Sequence, residues 1–195
     1  MQIPASLRSL PNQLTLARIA AIPVICLLLV MGWDWLRWIA LVIYALAAIT
    51  DWFDGFLART MNQQSDLGKM LDPIADKLLV GALLVTFAWT RDFSSWELIP
   101  AIAILMREIF VAGLREYLGN KAVSVPVTFL AKWKTTVQLI ALFFVFVDGL
   151  LPSFTLISAG LLWLAGILTV WTGWQYLMST WVHFDSPPTP PSDPL

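Results

Sequence analysis

The recurrence of long apolar stretches constrains the fold of this chain more than any other feature. A helix needs about 20 such residues to cross the hydrocarbon core of a bilayer. Six stretches of this kind occur, roughly over residues 14–32, 35–60, 71–90, 98–118, 127–147 and 154–182. Because lipid offers the backbone no hydrogen-bond partner, each stretch is predicted to be an α-helix. The sequence therefore predicts an all-α, polytopic integral membrane protein with six transmembrane helices.

Composition supports a chain whose outer surface faces lipid. Hydrophobic residues make up 58% of the sequence and charged residues only 13%, whereas a soluble domain carries about 25% charged residues. The formal net charge of −1 provides no basic field for nucleic acid, so no nucleic-acid partner is expected. The single cysteine, Cys26, excludes a disulfide framework within one chain.

The distribution of basic residues predicts the orientation in the membrane. Six spans put both termini on one side, and of the 12 lysines and arginines only Arg37 and Arg91 fall on the opposite side. Cytoplasmic segments carry the excess of basic residues, so both termini are predicted to be cytoplasmic. Tryptophans cluster at the opposite ends of the helices, as in an interfacial belt: Trp33, Trp35, Trp38, Trp89 and Trp96.

The domain organisation is simple. No internal repeat and no second domain is evident, so residues 1–184 are predicted to form one six-helix membrane domain. The last nine residues contain five prolines, and residues 185–195 are therefore predicted to be a disordered tail. The first apolar stretch lacks a small-residue cleavage site and is interpreted as a helix rather than a signal peptide.

Four aspartates in the segment from 51 to 77, DWFDGFLARTMNQQSDLGKMLDPIADK, form the most informative pattern. Asp51 and Asp54 are three residues apart, and Asp72 and Asp76 are four apart, so each pair shares a helix face. Pro73 either opens the second helix or kinks it. The intervening loop returns the chain across the cytoplasmic edge, so the four carboxylates can converge in a polar site open to the cytoplasm.

Such a cluster of acids calls for cations. A carboxylate near the bilayer centre costs about 2.5 kcal/mol or more, and four like charges in a partly dry site do not all stay ionised unaided. Oxygen ligands without histidine or cysteine suit Mg²⁺ or Mn²⁺. One or two such ions would resolve the electrostatics, and two would also clamp a phosphoryl group.

This segment resembles the signature of the CDP-alcohol phosphotransferase family, D-x2-D-G-x2-A-R, eight residues, then G-x3-D-x3-D. Every signature position is matched, by Asp51, Asp54, Gly55, Ala58, Arg59, Gly68, Asp72 and Asp76. Eight fixed positions coincide by chance in well under roughly one chain in a million. The six-helix pattern extends the resemblance over most of the chain, leaving out the proline-rich tail.

The resemblance implies roles for the aspartates. Asp51, Asp54 and Asp72 would bind two divalent cations, Mg²⁺ or Mn²⁺, and Asp76 would lie near a metal and act as the general base. An alcohol hydroxyl would attack the lipid-side phosphorus of a CDP-linked lipid, and CMP would leave. The alternatives are structural ion pairs or a cation path through the bundle; transporters usually contain repeats and broken helices, which are not found here.

The resemblance also implies a binding site for the CDP-lipid. Gly55 and Ala58 lack bulk, so a cytidine nucleotide could lie against the helix, and Arg59 could reach the nucleotide or its diphosphate. Gly68 completes the signature on the next helix. Near the entrance of the first helix, Asn12 and Thr15 (with Arg18) are further candidates for contact with the lipid phosphate or nucleotide. Helix capping by Asn12 and snorkelling by Arg18 are equally good explanations.

A second set of basic residues predicts that the acceptor alcohol carries a phosphate. Arg107 and Arg115 share a helical stripe, and Lys134 enters from the same cytoplasmic side on the next helix. Guanidinium and ammonium groups suit phosphate oxygens. The alternative is that these residues follow the positive-inside bias, which explains Arg107 poorly because it lies well inside its helix.

Four sequence segments narrow the choice of acceptor alcohol. NQLTLAR (12–18), LDPIADKLLV, MREIFVAGLREYLG and AKWKTT resemble the phosphatidylglycerophosphate synthase branch of the family, which joins CDP-diacylglycerol to sn-glycerol 3-phosphate. The cardiolipin synthase branch has many of the same residues in these segments, so phosphatidylglycerol remains a candidate acceptor. Inositol phosphate and serine also remain candidates. The resemblance further implies a homodimer. Short loops and the absence of organelle targeting favour a bacterial inner membrane.

Overall fold

The computed structural model describes residues 10–60, 66–120 and 129–181, and within them it leaves out the side chains of residues 10–11, 51–60, 66–67, 69, 120 and 129–132. The described backbone is helical and contains no strand, which confirms the all-α prediction. The helices are α1 (Leu10–Val30), α2 (Asp34–Thr60), α3 (Asp66–Trp89), α4 (Leu98–Asn120), α5 (Phe129–Asp148) and α6 (Thr155–Trp181), with a 3₁₀ turn at Pro152–Phe154. The predicted tail, residues 185–195, and the domain boundary at residue 184 lie outside the described residues.

The helix ends follow local chemistry. After α1, Gly32 adopts a left-handed backbone with φ of +72°, and its N–H donates to the carbonyl of Leu29 at 3.1 Å. Glycine populates this region without steric cost, so the helix ends here. Pro73 lies inside α3, which begins at Asp66. Of the two predicted possibilities for Pro73, opening the helix is therefore wrong.

Buried aromatic and aliphatic side chains hold the helices together. Tyr44, Phe87 and Phe146 are almost completely buried, and the rings of Phe87 and Phe146 meet edge to face with centroids 4.9 Å apart. Around them α1 packs against α2 and α3, while α6 packs against α4 and α5. The core therefore joins all six described helices.

The outer surface is dominated by large apolar side chains. Leu156 is 89% exposed and Trp89 is 75% exposed, and the other tryptophans predicted to form a belt, Trp33, Trp35, Trp38 and Trp96, are exposed as well. Soluble proteins rarely expose apolar surface on this scale. The described segments Asn12–Val30 and Pro152–Trp181 are long and apolar enough to cross a membrane on their own.

One arginine ties together the ends of three helices. At the start of α2, Arg37 pairs with Asp92, Nη1 to Oδ1 at 2.8 Å, just beyond the end of α3. Its Nε and Nη2 donate to the carbonyls of Phe146 and Val145 at 3.0 Å each, near the end of α5. Gly149 leaves the room for this guanidinium, because a Cβ there would overlap it.

Candidate active site

The two α3 aspartates face two polar side chains of α1. Thr15 donates a hydrogen bond from Oγ1 to Asp72 Oδ1 at 2.7 Å, and Arg18 Nη1 lies 3.5 Å from Asp76 Oδ1. Thr15 and Arg18 lie on one face of α1, and Asp72 and Asp76 lie on one face of α3. The two faces pack side by side, so each α1 residue meets one aspartate. Arg18 is only 3% exposed, so it turns into the bundle, and the alternative that it snorkels to the surface is wrong.

These contacts orient the carboxylates while leaving them accessible. The Asp76 side chain is 46% exposed although its partner Arg18 is buried. Asp72 receives the Thr15 hydrogen bond on Oδ1, and a carboxylate has further lone pairs for another ligand. Both groups therefore combine a fixed direction with room for a ligand.

The remaining signature residues are described less completely. Asp51, Asp54, Gly55, Ala58 and Arg59 belong to the last turns of α2, but their side chains lie outside the described residues, so the convergence of four carboxylates stays a prediction. No group of three or more metal-ligating side chains occurs among the side chains that are described.

The predicted residues Gly68 and Asn12 are both buried. Gly68 belongs to α3 and Asn12 to α1. Since α1 already includes Leu10, Asn12 lies within the helix and does not cap it. Contact of either residue with the CDP-lipid stays a prediction.

A polar pocket opens beside Asp76. It has a volume of about 370 Å³ and is lined by side chains from α3, α4 and α5: Pro73, Asp76, Lys77, Val80, Arg107, Glu108, Val111, Arg115, Lys134, Thr135 and Gln138. The three basic residues predicted to bind a phosphate therefore line one pocket with the aspartate predicted to be the base. Their distant positions in sequence are brought together by the packing of α4 and α5 next to α3.

The pocket carries a positive charge. Among its lining residues, four are cationic, Lys77, Arg107, Arg115 and Lys134, and two are anionic, Asp76 and Glu108. The formal excess is two positive charges. An excess of this kind in a partly buried pocket attracts an anion, because the low dielectric strengthens the interaction.

Glu108 organises two of the cations. Its Oε1 accepts a hydrogen bond from Lys134 Nζ and another from Arg107 Nη1 at 3.3 Å. Glu108 is thus the ion-pair partner of two neighbouring basic residues. Both Lys134 and Glu108 are buried. The two hydrogen bonds to Glu108 therefore fix the direction of the Lys134 ammonium and the Arg107 guanidinium.

Helix α6 contacts the Arg107 side chain through a hydrogen bond and through close packing. Arg107 Nη2 donates to Thr172 Oγ1 at 3.3 Å, and the neighbouring Gly173 leaves space for the arginine stem. A Cβ at position 173 would lie 2.9 Å from Arg107 Cγ. The Nε of Arg107 is buried and has no hydrogen-bond partner among the described residues. Arg107 is therefore packed at its base against Gly173, and both terminal nitrogens of its guanidinium have partners, Glu108 and Thr172.

Sequence reasoning missed several of these residues. Lys77 directly follows the last signature aspartate, and Gln138 lies one turn after Lys134, so helical spacing could have found both. Thr172 and Gly173 belong to an otherwise apolar helix and carry no motif. No signal in the sequence pairs them with Arg107.

The chain belongs to the CDP-alcohol phosphatidyltransferase family, whose model matches residues 8–171. A protein of Rickettsia bellii that is 44% identical over 180 residues, covering 90% of this chain and 97% of the relative, is named CDP-diacylglycerol–glycerol-3-phosphate 3-phosphatidyltransferase. Relatives of the same name are 38% identical in Cereibacter sphaeroides, covering 86% of this chain and 93% of the relative, and 38% identical in Salmonella choleraesuis, covering 87% and 93%.

Proposed function

We propose that this protein transfers the phosphatidyl group of CDP-diacylglycerol to sn-glycerol 3-phosphate, giving phosphatidylglycerophosphate and CMP in phospholipid biosynthesis. Relatives that carry the name of this enzyme match nearly the whole chain, and the chain belongs to the CDP-alcohol phosphatidyltransferase family. The observation that carries the choice of acceptor is the cationic pocket beside Asp76.

The acceptor phosphate is assigned to Arg107, Arg115 and Lys134. Their pocket has a formal excess of two positive charges, which matches a phosphate monoester near pH 7, with its charge of about −1.5 to −2. Arg107 Nε, a buried donor without a described partner, also favours an incoming oxygen ligand, because an unmatched buried donor costs about 1–3 kcal/mol. Neutral serine would leave the excess charge uncompensated.

Asp76 is assigned as the general base. It lines the same pocket as the three phosphate ligands and is accessible on one side. It would take the proton of the C1 hydroxyl while that oxygen bonds to the lipid-side phosphorus. The phosphorus–oxygen bond to CMP then breaks, CMP departs with the electron pair, and Asp76 later returns the proton to water.

The metal ligands are assigned to Asp51, Asp54, Asp72 and Asp76, which would hold two divalent cations, Mg²⁺ or Mn²⁺. The family is generally dependent on divalent cations, and the donor set fits because carboxylate oxygens are the ligands that these hard ions prefer. Thr15 holds one oxygen of Asp72, as outer partners of metal ligands commonly do. Bound cations would polarise the diphosphate and neutralise charge on the leaving group.

The CDP-lipid is assigned to the surface around the signature. Gly55, Ala58 and Arg59 of α2 and Gly68 of α3 would contact the nucleotide and its diphosphate. Asn12 and Thr15 would complete this site from α1. The hydroxyl of Thr15 already donates a hydrogen bond to Asp72. Thr15 would therefore act on the nucleotide indirectly, by orienting the Asp72 carboxylate.

In the membrane, all six helices are proposed to span the bilayer, with both termini and the polar pocket facing the cytoplasm of a bacterial inner membrane. The apolar exposed surface supports this, as does the location of the tryptophan-rich helix ends at residues 33–38, 89 and 96, away from the pocket. Membership of the family further suggests a homodimer.

An acceptor panel tests the proposed function. The purified protein in detergent is given CDP-diacylglycerol and Mg²⁺ with glycerol 3-phosphate, phosphatidylglycerol, inositol phosphate or serine, and CMP and lipid product are measured. We expect rapid CMP release with glycerol 3-phosphate alone. Product with phosphatidylglycerol instead would indicate cardiolipin synthase chemistry. Cation flux in vesicles without any CMP release would refute the transferase function and indicate a transporter.

A further inference from the structure

Gln138 lines the acceptor pocket and has an unmatched polar atom. The residue lines the pocket, yet it is only 2% exposed. Its Oε1 is buried and has no hydrogen-bond partner among the described residues. Burying an acceptor without a donor costs the full desolvation of that atom. Such an atom in a ligand pocket is explained if the ligand supplies the missing donor.

The chemistry of the acceptor identifies that donor. Phosphate oxygens do not donate as a dianion, so the phosphate group does not satisfy Gln138 Oε1. In glycerol 3-phosphate the only donors are two hydroxyls, and the C1 hydroxyl is the nucleophile that faces Asp76. We infer that Gln138 binds the C2 hydroxyl of the acceptor and makes the pocket selective for glycerol 3-phosphate over phosphorylated alcohols that lack this group. The inference rests on the proposed function.

The position of Gln138 fits this role. It lies four residues after Lys134 on α5, so the two side chains share a helix face. In the acceptor, C2 is bonded to the carbon that carries the phosphate ester. A phosphate held by Lys134 therefore brings the C2 hydroxyl near the next turn of α5. A carboxamide both donates and accepts, as does a hydroxyl, so the two groups can pair reciprocally.

The test compares two acceptors that differ by one hydroxyl. Glycerol 3-phosphate and 3-hydroxypropyl phosphate both keep the attacking hydroxyl and the phosphate, and only the first carries the C2 hydroxyl. We expect the unmodified protein to favour glycerol 3-phosphate in kcat/KM by about ten-fold or more. Gln138→Met keeps the length of the side chain but removes the carboxamide, and the preference should fall to within about two-fold.

A second glutamine with a buried, unmatched carboxamide oxygen provides the control. Gln175 of α6 also has a buried Oε1 without a described partner, and it does not line the acceptor pocket. Gln175→Met should therefore keep the preference of the unmodified protein. A loss of preference in this variant would mean that the effect follows from removing any glutamine with an unmatched buried oxygen, and it would overturn the inference.

The remaining outcomes separate this inference from the proposed function. Equal kcat/KM for the two acceptors in the unmodified protein overturns the role of Gln138 without any variant, so the test does not depend on the folding of Gln138→Met. A full preference retained in Gln138→Met overturns it as well. Transfer to neither acceptor, with CMP released only by another alcohol, would instead refute the proposed function.

Discussion

Replacing Gly173 with alanine places a methyl group against the base of the Arg107 side chain. The new Cβ would lie 2.9 Å from Arg107 Cγ and 3.4 Å from Nε. Because Cγ is only two bonds from the backbone of α4, it moves away chiefly by a change of rotamer at χ1. Such a change would carry the guanidinium away from its partners Glu108 and Thr172, which both lie 3.3 Å away.

The size of the effect follows from the contact that is lost. If Arg107 binds the acceptor phosphate, the displaced guanidinium loses at least one charge-assisted hydrogen bond, a contribution of about 1.5–3 kcal/mol. At 1.4 kcal/mol per decade, the KM for glycerol 3-phosphate should rise by about 10- to 100-fold. The KM for CDP-diacylglycerol should change little, because that lipid is assigned to the signature residues of α2 and α3.

The assay measures both constants in detergent, with Gly160→Ala as the matched control. Gly160 lies on the same helix, and a Cβ there would meet nothing within 4 Å. The control should therefore keep both constants and gain up to about 1 kcal/mol of helix stability. A well-folded Gly173→Ala protein with an unchanged KM for glycerol 3-phosphate would refute either the packing argument or the role of Arg107. Arg107→Ala distinguishes these two cases, since it removes the guanidinium directly.

Three further predictions concern the carboxylates. Asp76→Asn should keep CDP-lipid binding while losing about 10²- to 10⁴-fold in turnover, since an amide does not take up the hydroxyl proton; CMP release and nucleotide-lipid binding measure the two effects. Chelation should abolish CMP release, and Mg²⁺ or Mn²⁺ should restore it while the larger Ca²⁺ restores it poorly. Thr15→Val removes the hydrogen bond to Asp72 and should weaken Mn²⁺ binding, measured directly by calorimetry, by about 10-fold or more, whereas Thr15→Ser should keep it.

Each of these has a result that contradicts it. An Asp76→Asn protein as active as the parent would show that another group takes the proton. Undiminished turnover in excess chelator would show that the reaction does not require divalent cations. Equal Mn²⁺ affinity in the Thr15→Val and Thr15→Ser proteins would show that the threonine hydroxyl does not orient a metal ligand.

The helices were predictable because lipid permits few alternatives. Apolar length alone gave six helices at close to their observed positions. The start of α3 was the clearest error, expected near residue 71 and observed at Asp66. The first turn of α3 is polar, with Asp66 and Lys69. A search for apolar stretches does not detect a helical turn that extends beyond them.

The site was most predictable where one helix carries the pattern, although Lys134 of α5 was also grouped correctly with the arginines of α4. Spacing on α3 put Asp72 and Asp76 on one stripe, and spacing on α4 did the same for Arg107 and Arg115. The contacts between helices were not predictable, because a sequence without repeats does not state which faces meet. The contact between Arg107 and Thr172, 65 residues apart, is of this kind.

The cluster around Arg37 has a mechanical consequence for the helices that line the acceptor pocket. It fixes the ends of α2 and α5 and the connection after α3 at one side of the bundle. For helices fastened at one end, any change of tilt produces the largest displacement at the other. Over the 20 residues of α5, about 30 Å, a tilt of about 5° moves the free end by about 2.6 Å. Lys134 and Gln138, which line the acceptor pocket, lie on the part of α5 away from this cluster, so a change of tilt would displace the lining of the pocket more than the fastened ends.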